Sequence, residues 1–123
     1  AAALAVIDVI HDDGLVGRAG AIGARFRERL TALQAKYPAT IGDIRADRGA
    51  MIAIELVENG DVNKPAADLT KSLLVAAYER GLVLLSCGVN GNVIRFLPAL
   101  TISDELIDEG LDLLEACFGK ALG

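Results

Sequence analysis

One arginine set in the middle of an apolar strand constrains this chain more than any other feature. Gly91-Asn92-Val93-Ile94-Arg95-Phe96-Leu97-Pro98 reads as a short strand leading into Ala99-Leu100-Thr101-Ile102. Side chains alternate along a strand, so Val93, Arg95 and Leu97 share one face while Ile94 and Phe96 take the other. An unpaired buried ion is costly, so Arg95 needs an anionic partner. No acid lies beside it in sequence. Three readings stay open: an Asp or Glu from elsewhere in the fold, a sheet edge from which the guanidinium reaches solvent, or a ligand. Arginine suits a ligand carboxylate because its planar fork donates two parallel hydrogen bonds.

The rest of the chain supplies a fold around that strand. Residues 1 to about 12 are Ala-rich and apolar on nearly all sides, which predicts a helix packed on more than one surface. Asp13-Gly14 is a turn signal. From Leu15 to about Lys36, Leu15, Ala19, Ile22, Phe26, Leu30 and Leu33 recur every three or four residues. That spacing predicts a long amphipathic helix with Arg18, Arg25, Glu28, Arg29 and Lys36 on its wet side, ended by Pro38. Residues 41–47 and 51–58 read as a hairpin joined at Arg48-Gly49-Ala50. A polar loop from Asn59 to Lys64 follows. Pro65 and Gly81 bracket a third helix carrying Leu69, Leu73, Ala76, Ala77 and Arg80. Val83-Leu84-Leu85 reads as a strand, and Ser86 to Asn92 as a small-residue loop. Ser103 caps a last helix, with Asp104 and Glu105 in its first turn. Leu106, Ile107, Gly110, Leu111, Leu114, Cys117 and Phe118 form its buried face. The order α-α-β-β-α-β-β-α predicts an α+β, two-layer fold, with helices covering one face of a small, mostly antiparallel sheet.

Composition narrows the function. A chain of 123 residues fits one domain, and 53% hydrophobic residues supply its core. The net charge of −5, without a basic stripe, speaks against nucleic acid, and dispersed Lys and Arg speak against anionic lipid. No apolar run approaches the roughly 20 residues of a membrane span, and the opening segment lacks the basic start of a signal peptide. Cys87 and Cys117 read as free thiols of a reducing compartment, which points to the cytoplasm. The chain starts at Ala1 inside a helical pattern without a polar cap, which predicts that a segment precedes it.

Few residues offer chemistry. The Ser86–Asn92 loop, through Gly88 and Gly91, could admit a ligand to its backbone or simply connect two strands. Arg45, Asp47 and Arg48 form a charged knot at the first hairpin, either solvated or facing a partner domain. Glu55 reads as the structural partner of an arginine. His11, the only histidine, reads as a surface residue, and Cys87 as an unreactive thiol. No metal-ligand set is present. Lys36, Lys64, Lys71 and Lys120 all fall on polar faces, loops or the tail, so none is placed for Schiff-base chemistry. The residues describe a binding half-site rather than a complete enzyme.

Several of these segments resemble a known family. Gly49-Ala50-Met51-Ile52-Ala53-Ile54-Glu55-Leu56, after Gly42-Asp43-Ile44-Arg45, is similar to the small-domain hairpin of class III pyridoxal-phosphate aminotransferases. Leu85-Ser86-Cys87-Gly88, Gly91-Asn92-Val93-Ile94-Arg95-Phe96-Leu97-Pro98, Leu100-Thr101-Ile102 and Glu109-Gly110-Leu111 resemble the family's C-terminal end, most closely in its bacterial 4-aminobutyrate enzymes. Arg45-Ala46-Asp47-Arg48-Gly49 departs from the usual Arg-Gly-Arg-Gly or Arg-Gly-Leu-Gly, and Pro98-Ala99 from a frequent Pro-Pro.

The resemblance implies that residues 1–123 are the C-terminal small domain of a fold type I transaminase. Residues 1–13 would be a helix at the junction to a large domain lying before Ala1. That large domain would hold the pyridoxal 5'-phosphate lysine, the aspartate at the pyridine nitrogen and the phosphate cup. The intact enzyme would be a cytoplasmic homodimer acting on small amino and keto acids. It would move the amino group of 4-aminobutyrate to 2-oxoglutarate, giving succinate semialdehyde and glutamate. Arg95 maps onto the arginine that in the family binds the α-carboxylate of glutamate or 2-oxoglutarate, and that in 4-aminobutyrate enzymes pairs with a large-domain glutamate when not so engaged. No catalytic, cofactor or metal residue is expected in this chain, which alone would be inactive. Two alternatives remain: an ornithine, acetylornithine or diamino-acid enzyme of the same class, and a stand-alone α+β interaction module.

Overall fold

The computed structural model describes residues 1–123. Four helices and five strands follow in the order α1 (Ala2–Asp12), α2 (Leu15–Lys36), β1 (Ile41–Arg48), β2 (Met51–Glu58), β3 (Asp61–Pro65), α3 (Ala67–Tyr78), β4 (Leu85–Cys87), β5 (Val93–Phe96) and α4 (Asp104–Leu122). The sheet runs β1-β2-β5-β4, antiparallel throughout, and β3 pairs with β2 beyond this row. Helices pack on one face only, so the architecture is the two-layer α+β arrangement that the sequence predicts.

The core lies between that face and the helices. The α2 stripe of Ile22, Phe26, Leu30 and Leu33 is buried against Ile52, Ile54 and Leu56 of β2 and Ile94 and Phe96 of β5. α4 adds Ile107, Leu111, Leu114 and Phe118, and α3 adds Leu73 and Ala77. Each set repeats at the period of its element, three or four in helices and two in strands, so each element presents one dry side. The Phe26 and Phe96 rings, 5.4 Å apart, join α2 to β5. α2 comes close to the first hairpin because Gly23 has no side chain: a Cβ there would lie 2.2 Å from the Gly49 carbonyl oxygen.

Five details differ from the sequence reading. Asp61–Pro65 is a strand rather than a loop, so Pro65 ends β3 and α3 begins at Ala67. The fourth strand is Leu85–Cys87, not Val83–Leu85, because Leu85 is the first residue of that segment to pair with β5. Leu106 is exposed: it sits at the edge of the α4 stripe, and no element of this chain covers it. α1 buries none of its residues, although it is apolar on nearly all sides. Finally, the charged side of α2 is not simply wet. Arg18 donates to Asp104 at 2.8 Å, Arg25 to Asp108 at 2.5 and 2.9 Å, Arg29 to Asp112 and Lys36 to Glu115. This ladder fastens α2 to α4 along their length. The Arg25 hydrogen bond, more than the neighbouring charges, holds the Asp108 carboxyl below its usual range and the Arg25 guanidinium above its own.

Candidate functional site

The helix-free face of the sheet carries Arg95. In the ladder Arg95 stands opposite Ala53 of β2 on one side and Leu85 of β4 on the other, and Ala53 stands opposite Arg45 of β1. Directly paired residues share a face, so Arg45, Ala53, Arg95 and Leu85 form one row across four strands. The next row on this face is Asp43, Glu55, Val93 and Cys87. Ile94 and Phe96 point the other way into the core and hold β5 in place.

Register is fixed at the start of β5. Asn92 is buried; its side-chain Nδ2 donates to the Leu56 carbonyl at 2.8 Å, and the Leu56 N–H donates to the Asn92 carbonyl at 2.8 Å. This clasp, unforeseen from sequence, sets which residue of β2 faces Arg95. A one-residue slip would turn the guanidinium into the core.

Arg95 is exposed and takes part in none of the chain's ion pairs. No acid of this chain neutralises it, which removes the first of the three readings given by the sequence. Arg45 differs: its Nε donates to Asp43 at 2.9 Å and its Nη2 to Glu55. Glu55 therefore has the arginine partner expected of it. Asp47 of the charged knot pairs with Arg27 of α2.

Beside Arg95 runs an apolar groove of about 400 Å³, walled by Val83, Leu85, Leu97, Pro98 and Leu106, with Arg95 its only charged lining residue. The remaining candidates lie elsewhere. Ser86 and Cys87 belong to β4, leaving Gly88–Gly91 as the tip of the β4–β5 turn. Cys87 is a half-buried free thiol and Cys117 a buried one. His11 is exposed on α1 beside Asp12.

With the geometry in place, comparison with known proteins decides the family. The sequence profile described as "Aminotransferase class-III" matches residues 1–118. This chain belongs to the class III aminotransferases. It is 49% identical over 120 residues to the 5-aminovalerate aminotransferase of Pseudomonas aeruginosa, covering 98% of this chain and 28% of that protein. It is 53% identical over 114 residues to the 4-aminobutyrate aminotransferase of Mycobacterium tuberculosis, covering 93% and 25%. Among solved structures, a Bacillus anthracis aminotransferase superposes with a TM-score of 0.85 at 27% identity, over 96% of this chain and 27% of that one. The chain thus spans about a quarter of the length of the curated relatives it matches.

The class implies pyridoxal phosphate, and the residues present do not build a site for it. Lys36, Lys64, Lys71 and Lys120 are all exposed, and Lys36 and Lys64 are paired with Glu115 and Asp61, so none has the buried setting in which an amine is desolvated. What the sheet does present is an exposed guanidinium, that of Arg95, with no ion pair inside the chain.

Proposed function

We propose that this chain is the C-terminal small domain of a 4-aminobutyrate-type aminotransferase, in which Arg95 binds the α-carboxylate of 2-oxoglutarate or glutamate. The intact enzyme, a cytoplasmic homodimer, transfers the amino group of 4-aminobutyrate to 2-oxoglutarate. Pyridoxal phosphate supplies the amino-group chemistry from a large domain outside these 123 residues. The chain by itself is inactive. The observation that carries the reading is a guanidinium with no internal partner, on a strand whose other face is locked in the core.

The chemistry asked of Arg95 is orientation. An α-carboxylate accepting two hydrogen bonds from the fork is fixed in direction as well as position, so the amino or keto carbon beside it is presented in one orientation. In a desolvated site, losing such a pair costs about 2–5 kcal/mol. Replacing Arg95 by Gln in the full-length enzyme should therefore lower kcat/KM by about 30-fold or more. In the isolated chain the same change should leave the unfolding midpoint unaltered, because Arg95 is exposed and unpaired. Full activity of R95Q would end this assignment.

A second donor has support of its own, since one relative is a 5-aminovalerate aminotransferase. The two donors differ by one methylene, and the α-carboxylate assigned to Arg95 belongs to the 2-oxoglutarate they would both use, so this arginine cannot tell them apart. Discrimination worth about 1–3 kcal/mol would come from the walls around the chain of methylenes. Comparing kcat/KM for both donors separates the readings.

A further inference from the structure

Glu55 lies within reach of two arginines and is held by one. It follows Ala53 by two residues on the same strand and the same face, and Ala53 has Arg45 on one side and Arg95 on the other. Each arginine is therefore a diagonal cross-strand neighbour of Glu55. Such neighbours have backbones about 7–8 Å apart, within the span of long side chains. Ala53, between the two arginines, offers only a methyl group, so no bulk separates Glu55 from either. Yet the Glu55 carboxylate accepts from Arg45 and leaves Arg95 unpaired.

Charge explains why this matters. Asp43, Glu55 and Arg45 form a cluster with one surplus negative charge. Without Arg45 the surplus becomes two, and Arg95 is the remaining cation on that face of β2 and β5. An intramolecular carboxylate would then compete with any ligand for the fork. We propose that Arg45 is a positioning residue: by restraining Glu55, it keeps Arg95 open to an external carboxylate. The inference deepens the proposed role of Arg95 and rests on it.

The test uses the 123-residue chain, with the Nε–Hε resonance of Arg95 as reporter and glutarate as probe. In the wild type that resonance should be solvent-exchanging and should shift on addition of glutarate. In R45A it should take on the downfield shift and slowed exchange of an ion-paired guanidinium before any ligand is added, and glutarate should bind roughly two- to fivefold more weakly. R45A/E55Q should restore both wild-type properties, which a merely structural role for Arg45 would not allow. R45Q, which keeps most of the stem, serves the same purpose if R45A fails to fold. An Arg95 resonance indifferent to loss of Arg45 overturns the proposal. If Arg95 responds to loss of Arg45 but wild-type Arg95 ignores glutarate, the restraint stands and the carboxylate-binding role falls.

Discussion

Gly23 is where one added methyl group tests how the helical layer meets the sheet. A Cβ at this position would stand 2.2 Å from the Gly49 carbonyl oxygen and 3.0 Å from its carbonyl carbon. Both atoms are backbone, so no side chain can rotate aside; α2 must lift or the hairpin turn must move. Gly20, three residues earlier on the same helix, has nothing within 4 Å of the same construction. The two sites share helix propensity and differ in space. Gly→Ala in a helix interior is worth about 0.5–1 kcal/mol in favour of alanine. At Gly20 that gain acts alone, so G20A should stabilise by about that amount. At Gly23 it opposes an overpacking cost of about 1–3 kcal/mol or more, and a clash with backbone belongs at the upper end. G23A should end about 1–2 kcal/mol below wild type, and about 2–3 kcal/mol below G20A. Urea unfolding followed by far-ultraviolet circular dichroism reads this as midpoints on opposite sides of wild type at a common m-value. A G23A midpoint equal to that of G20A would refute the close approach and, with it, the placement of the hairpin that carries Arg45 and Glu55.

Two further outcomes follow from the surface. Asp108 is held below the usual carboxylate range, so its contribution is present above the unfolded value of about 3.9 and fades as pH falls through the lower, folded value. D108N should unfold at lower urea than wild type at pH 7, with the gap closing towards the acid end; parallel curves at every pH would remove Asp108 from the ladder. On α1, Leu4, Val6 and Ile7 are each more than half exposed. Such a face favours self-association. Sedimentation of the chain should therefore show concentration-dependent oligomers that I7K disperses without altering the unfolding midpoint, and a wild-type chain monomeric at all concentrations would contradict this.

The helical layer was legible because burial writes itself at a fixed period. The recurrence from Leu15 to Leu33 gives α2 its observed limits, and Ser103 caps α4 by accepting from the Leu106 N–H. The hairpin β1–β2 was equally plain. β3 was missed because Asp-Val-Asn-Lys-Pro has no apolar alternation: it lies at the margin of the sheet, paired with β2 at its ends. Its signal was the turn instead. Asn59 and Gly60 both have positive φ, 54° and 72°, and Asn-Gly is the commonest sequence of a two-residue hairpin turn. Val83-Leu84-Leu85 misled because an apolar run does not say which residues join the ladder: Leu82 and Leu84 pack against the core while Val83 is exposed. The α2–α4 ladder joins residues some 80 positions apart, so nothing local announces it. The Asn92 clasp escaped for the same reason, since its partner is Leu56.

Arg95 stood out in sequence because it broke an apolar pattern, but the role proposed for it depends on the character of its neighbours. The pleat that sends Ile94 and Phe96 into the core presents Arg95 on the opposite face, and pairing on both sides of β5 fixes its backbone. Only side-chain freedom remains to be lost when an anion is gripped, about 2 kcal/mol for arginine. The residues directly across, Ala53 and Leu85, have no acceptor to offer. An acid at position 53 would face Arg95 at the shortest cross-strand separation and satisfy it within the chain. Glu55 is one step further and already engaged by Arg45. The proposed site for an external carboxylate would rest on three conditions together: a fixed strand, apolar residues opposite the guanidinium, and restraint of Glu55, the acid diagonal to it on β2. The first is a property of the sheet and the second of residues 53 and 85; the third is the role proposed for Arg45.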